Sequence, residues 1–139
     1  MIEPIIIRLA TIKDIPRILE LYKELTITTS NMESTKNPSL EDYQKTLNKI
    51  NSIPGYELLV AEDKDGILGS AVLLIMPNLA HQATHWALVE NLIIDQKQQR
   101  RNVGTKLIEY AINRAKDEGC YKLMLNSNKR RQGAHKFYR

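Results

Sequence analysis

An α+β fold, with a mixed, mostly antiparallel twisted sheet flanked by helices, is predicted from three observations. Runs rich in β-branched residues alternate with stretches of helical period, Asp65-Gly66 joins two of those runs, and a long helical pattern near the end lies between two further strands. Asp-Gly tolerates positive φ and closes a tight antiparallel hairpin. A strand-helix-strand order is a crossover that gives a parallel pair. The predicted order is β-α-α-β-β-β-α-β-α.

Each element has a local cause. Ile5-Ile6-Ile7-Arg8-Leu9 reads as the first strand. Thr11 with Asp14 three residues on is a variant capping box, and Ile15, Ile18, Leu19, Tyr22 and Leu25 continue at helical spacing, so residues 12–25 form an amphipathic helix. Pro16 falls near its first turn, where a missing N–H costs least. The polar stretch 26–38 reads as a loop or a frayed helix end. Ser39 with Asp42 opens a second helix to about Ile50. Tyr56–Glu62 and Ile67–Met76 are the hairpin strands, and Trp86–Ile94 is the next strand after a loop from Pro77 to Thr84. Val103, Leu107, Tyr110, Ala111 and Ala115 mark a third helix, with Gly119 as its C′ residue. Tyr121–Asn126 is a strand, and Ala134, Phe137 and Tyr138 suggest a final helix.

At 139 residues the chain is read as one domain, 1–139, large enough for a core. Its 42% hydrophobic and 26% charged content matches ordinary globular proteins, against a disordered chain. Apolar runs such as Ile5–Ile7 and Ala71–Met76, the latter the longest, fall far short of the ~20 residues of a membrane span, so no membrane partner is expected. Met1-Ile2-Glu3-Pro4 lacks the basic start and apolar block of a signal peptide. Cys120 is the single cysteine, so no intrachain disulfide can form, and a cytoplasmic setting is expected.

Charge is unevenly placed. Residues 97–139 carry twelve Lys/Arg against three Asp/Glu, whereas residues 1–96 carry eight against thirteen. A basic final third suggests that a polyanion binds there, either nucleic acid or a phosphorylated cofactor; a solvated basic face is the alternative. No recognition-helix or RNA-binding motif is present, so nucleic acid is not expected.

The segment Gln99-Arg100-Arg101-Asn102-Val103-Gly104-Thr105 follows the apolar run ending at Ile93-Ile94-Asp95 and opens the third helix. Strand, basic loop and helix N-terminus make a phosphate cradle, because backbone N–H groups and the positive end of the helix dipole converge.

This segment resembles the central motif of the GNAT superfamily of acetyl-CoA-dependent N-acyltransferases, Gln/Arg-x-x-Gly-x-Gly/Ala, read here as Gln99-x-x-Asn102-x-Gly104. Asn102 replaces the motif's first glycine. Asn is the non-glycine residue that best tolerates a left-handed backbone, so the loop is expected to keep its shape. Other segments agree in order: Leu59–Glu62 with the Asp65-Gly66 hairpin, Val89–Asp95 as the fourth strand, Gly119–Leu125 as the fifth, and Ala134-His135-Lys136-Phe137-Tyr138 as the closing Ala-x-x-Phe-Tyr.

The resemblance implies a GNAT-type fold and acetyl-CoA as acetyl donor. Backbone groups of Leu92, Ile93 and Ile94 would line the pantetheine arm and polarise the thioester carbonyl. Amides from Arg101 through Asn102, Val103 and Gly104 to Thr105, with the Gln99 and Arg100 region, would hold the pyrophosphate. Arg100, Arg101 and the run Lys129–Arg131 could offset further phosphate charge, or be solvated. Tyr138 matches the tyrosine that in many members protonates the departing sulfur, and Glu90 is the candidate base or else a structural or substrate-orienting carboxylate. Trp86 either walls the acceptor pocket or packs. His81, His85 and His135 lack metal-ligand spacing, so no metal is expected. Cys120 reads as a buried, inert thiol.

The function expected is direct acetyl transfer to a primary amine in a ternary complex, or, alternatively, acetyl-CoA binding or sensing by an inactive module. A small-molecule amine is the expected acceptor; a metabolite amine, an amino-sugar phosphate and a protein amine all remain open. The family pattern continues past Phe-Tyr, whereas this sequence ends at Arg139. A C-terminal truncation with the last strand or strands missing, and a homodimer across the open sheet edge, are therefore expectations.

Overall fold

The computed structural model describes residues 4–26, 37–126 and 132–136. Six strands form one sheet in sequence order: β1 (Ile6–Leu9), β2 (Tyr56–Asp63), β3 (Gly66–Met76), β4 (Trp86–Ile94), β5 (Lys122–Asn126) and β6 (Gln132–Lys136). Only the β4–β5 neighbours run parallel, joined through helix α3 (Val103–Asp117); the other pairs are antiparallel. The mixed, mostly antiparallel sheet flanked by helices is the fold class expected.

Helices α1 (Ile15–Thr26) and α2 (Leu40–Ser52) cover one face. Asp14 sets the start of α1: it accepts from the Thr11 amide at 2.7 Å, closing a short 3-10 turn, Ile12–Asp14, ahead of the helix. Ser39 and Asp42 form the expected capping box on α2, through Asp42 N–H to Ser39 Oγ at 3.1 Å and Ser39 N–H to Asp42 at 2.9 Å. The stripe Ile15, Ile18, Leu21 and Leu47 packs on Leu58, Val60, Ile67 and Val72. On the opposite face Val103, Leu107, Ala111 and Ala115 of α3 pack on Leu59, Leu73, Val89 and Leu123. Because helices lie on both faces, β2 and β3 are buried over continuous runs rather than at alternate positions. Gly119, at φ +74°, follows α3 as the sequence predicts for a C′ residue.

Two local expectations need correction. The segment holding Ala134 is not helical over its described part; Gln132–Lys136 is β6, paired with β5 in the register Leu123–His135 and Leu125–Gly133. The physical reason is non-local. The outer edge of β5 presents unpaired backbone groups, and the chain folds back to pair with them. The loop 77–84 is also partly ordered: His81, Gln82 and Ala83 all adopt positive φ, a left-handed turn, with the His81 ring stacked 4.0 Å from that of Tyr121.

Candidate active site

The site grows from a defect in the sheet. Ser70 pairs with Ile93 and Val72 with Glu90, so Asn91 and Leu92 together oppose the single residue Ala71. This bulge puts Asn91 at φ +53° and bends β4. On its other side the described pairing of β4 with β5 runs over Ala87–Val89. Beyond it, Ile93 and Ile94 pair with β3 on one side, and no described residue of β5 pairs with Leu92, Ile93 or Ile94 on the other.

Just beyond, Asp95 accepts a hydrogen bond from the Lys97 amide at 2.9 Å, and the loop runs as a 3-10 turn, Gln96–Arg101. Asn102 then takes φ 60°, ψ 30°, the left-handed conformation expected of it, and α3 begins at Val103. The Asn102 side chain does not cap the helix, and the first turn contains no acidic residue. The first backbone hydrogen bond of the helix is from the Lys106 amide to Asn102 O at 3.0 Å, leaving the amides of Val103, Gly104 and Thr105 without intrahelical acceptors. An uncapped N-terminus of a 15-residue helix, reached through a left-handed residue, fits an anionic group.

Gly69, missed in the sequence, holds the cradle in place. A Cβ there would lie 2.8 Å from Ile94 Cδ1, 3.0 Å from Ile93 O and 3.2 Å from Val103 Cγ1. Only a glycine lets β3 approach the end of β4 and the start of α3 so closely. At Gly104 the demand is milder: a Cβ would meet Ile94 at 3.7 Å, ordinary contact, which agrees with the motif's Gly/Ala alternative.

The side chain of Arg101 is committed elsewhere. Its guanidinium lies 2.6 Å from Asp63 on the β2–β3 hairpin and 3.3 Å from Gln98, so it ties loop to hairpin. That pairing holds the Asp63 carboxyl below its usual range. Arg17 anchors the other side of the loop at 2.5 Å from Asp95. Of the expected phosphate-binding side chains, those of Gln99 and Arg100, and the run Lys129–Arg131, lie outside the described residues, as do Phe137 and Tyr138.

Glu90 stands just past the last described β4–β5 pair. Its Oε1 accepts from Asn126 Nδ2 at 2.8 Å, and its register partner Val72 places it on the α1/α2 face. Asn126 carried no signal in the sequence, since its partner is 36 residues away. Trp86 sits four residues before Glu90 at the start of β4, on the same face of the sheet, with Lys122 Nζ 5.5 Å from its ring centre. Cys120 is buried, and burial pushes its thiol pKa up, as befits an inert sulfur. Among the described residues no group of three His, Cys, Asp or Glu is placed to hold a metal, and no helix is long and apolar enough to cross a membrane.

The sequence model of the acetyltransferase (GNAT) family matches residues 16–139. The chain belongs to the GNAT acetyltransferase family. Among solved structures, a putative acetyltransferase from Agrobacterium tumefaciens shares 28% identity and a TM-score of 0.77, over 91% of this chain and 83% of that one. A transcriptional regulator from Bacillus halodurans shares 25% identity and a TM-score of 0.79, over 92% and 85%. Glucosamine-6-phosphate N-acetyltransferase from Arabidopsis thaliana, at 21% identity and TM-score 0.76 over 89% and 82%, is alike in fold. In GNAT terms, the loop before α3 is where the family motif was read.

Proposed function

We propose that this GNAT protein moves the acetyl group of acetyl-CoA to a primary amine by direct attack in a ternary complex. The observation that carries the reading is the succession of three features along β4 and the loop after it: the Glu90 carboxylate just past the last described β4–β5 pair, the backbone of Leu92–Ile94 with no described β5 partner, and left-handed Asn102 opening an uncapped helix. Backbone amides of Arg101–Thr105 hold the pyrophosphate. Backbone N–H groups among Leu92, Ile93 and Ile94 meet the negative charge that develops on the thioester oxygen. Glu90 takes the proton from the attacking nitrogen as the C–N bond forms. Tyr138 gives its phenolic proton to the sulfur as the C–S bond breaks. A phenol with pKa about 10 remains protonated at neutral pH and can serve a thiolate whose conjugate acid lies near 8.5. No step calls on a metal or an enzyme-bound acetyl group. The acceptor is a small-molecule amine, and the single cysteine favours a cytoplasmic setting.

Thiol release from acetyl-CoA, followed across a panel of amines, tests the proposal. Release with formation of the N-acetyl product is expected, and Tyr138→Phe should lose turnover while binding acetyl-CoA with largely unchanged affinity. Unchanged turnover in that variant removes Tyr138 from the mechanism. Binding of acetyl-CoA without release across the panel would replace the enzyme with a sensing module.

A further inference from the structure

A cavity of about 250 Å³ lies between α1, α2 and the sheet, its floor formed by Val72 and its β4 end by Asn91. Its walls are aliphatic side chains and the phenols of Tyr22, Tyr43 and Tyr56; among the described residues no lining side chain carries a charge. Tyr22 is so shielded from water that burial raises its phenol pKa. The cavity borders the segment of β4 that carries Glu90. Val72 is the cross-strand partner of Glu90, so both face this side, and Asn91 follows Glu90 directly.

Shape and charge together select an occupant. The volume lies below the ~300–1,000 Å³ of drug-sized sites, which suits one ring or a branched chain. A phosphate placed here would lose its hydration among apolar walls, where no described lining residue is a lysine or arginine to replace it. An ammonium at the β4 end instead meets the Glu90 carboxylate while its apolar body leaves water.

We propose that the acceptor is a primary amine on an uncharged, apolar body of about one ring, seated between α1 and α2 with its nitrogen at Glu90. This rests on the acetyl-transfer reading and narrows it, setting amino-sugar phosphates aside. Thr46, on the exposed side of α2, lines the cavity and is the place to obstruct it.

The experiment compares phenethylamine, methylamine and glucosamine 6-phosphate as acceptors, and measures phenethylamine binding to the CoA-saturated protein by calorimetry. Phenethylamine is expected to exceed both others in kcat/KM by tenfold or more. Thr46→Trp should reduce the phenethylamine-to-methylamine ratio by tenfold or more and weaken phenethylamine binding equally. Should Thr46→Trp fail to fold, Tyr43→Ala serves instead, and the wider cavity should shift preference from phenethylamine toward the larger tryptamine. Preference for glucosamine 6-phosphate, or a ratio that neither variant moves, overturns the inference while acetyl transfer stands. If no amine is acetylated, the acetyl-transfer reading fails, and calorimetry alone decides the cavity. Phenethylamine binding that Thr46→Trp abolishes then supports an apolar-amine site, and absence of binding overturns it.

Discussion

Asn126 donates a hydrogen bond of 2.8 Å to Glu90, joining the end of β5 to β4 just past their last described pair. The amide fixes one carboxylate oxygen and leaves the other for an incoming nitrogen. Glu90→Gln should lower kcat by roughly 10²–10⁴-fold with acetyl-CoA affinity retained. Asn126→Ala should cost less, mostly in kcat. Asn126→Asp would set a second carboxylate against Glu90, so the acid limb of the pH–rate profile should move to higher pH. A profile that stays in place in Asn126→Asp would show that Asn126 does not position the base.

Asn102 concentrates the backbone strain of the cradle. Replacement by glycine should leave acetyl-CoA affinity intact and stability unchanged or slightly higher, because φ 60° costs glycine nothing. Asn102→Val should lose about 1–2 kcal/mol of stability, read by urea denaturation, and weaken acetyl-CoA binding. Equal affinity in the valine and glycine variants would mean that the left-handed turn does not shape the cofactor site.

Gly69 tests the close approach from the other side. Gly69→Ala would push against Ile94 and Val103, at 2.8 and 3.2 Å, and should destabilise the fold by roughly 1–3 kcal/mol. Acetyl-CoA affinity should fall as well, although the residue is not proposed to touch the cofactor. Gly104→Ala, whose Cβ would make an ordinary 3.7 Å contact with Ile94, should be tolerated in both measurements.

The pairing of Arg101 with Asp63 predicts an indirect effect on the cofactor. Arg101→Ala and Asp63→Ala should each weaken acetyl-CoA binding by several-fold, and the double variant no further than either. If Arg101→Ala weakens binding while Asp63→Ala does not, the arginine reaches a phosphate directly.

Arg8 sets an acid limit on stability. It lies 2.8 Å from Asp14 and 2.7 Å from Glu62, and holds both carboxyls below their ordinary values. With folded-state pKa values lowered, the unfolded chain takes up protons first as pH falls. The stabilisation is therefore present above the ordinary carboxylate range, about pH 4, and is lost as pH drops through the lowered folded values. Arg8→Met should destabilise at neutral pH by about 1–3 kcal/mol, since Asp14 is 7% exposed and loses its cation. It should also flatten the acid limb of stability. Denaturation at a series of pH values checks both, and an unchanged acid slope would place its origin elsewhere.

What the sequence determined by itself is whatever is encoded within a few neighbouring residues. The tight hairpin joining Asp63 to Gly66, the Ser39–Asp42 cap, the bounds Trp86–Ile94, the C′ glycine at 119 and the left-handed Asn102 all follow from local steric and hydrogen-bonding rules. Tertiary structure alone decided the rest. Gln132–Lys136 becomes a strand because β5 offers it an edge, and Arg101 turns to Asp63 because the hairpin folds beside the loop. Gly69 matters only because Ile94 and Val103 meet it, and Asn126 only because β4 and β5 run parallel. The cavity lined by three tyrosines depends on how α1 and α2 lie on the sheet. These contacts join residues tens of positions apart, and no local pattern records which distant partner a side chain will meet.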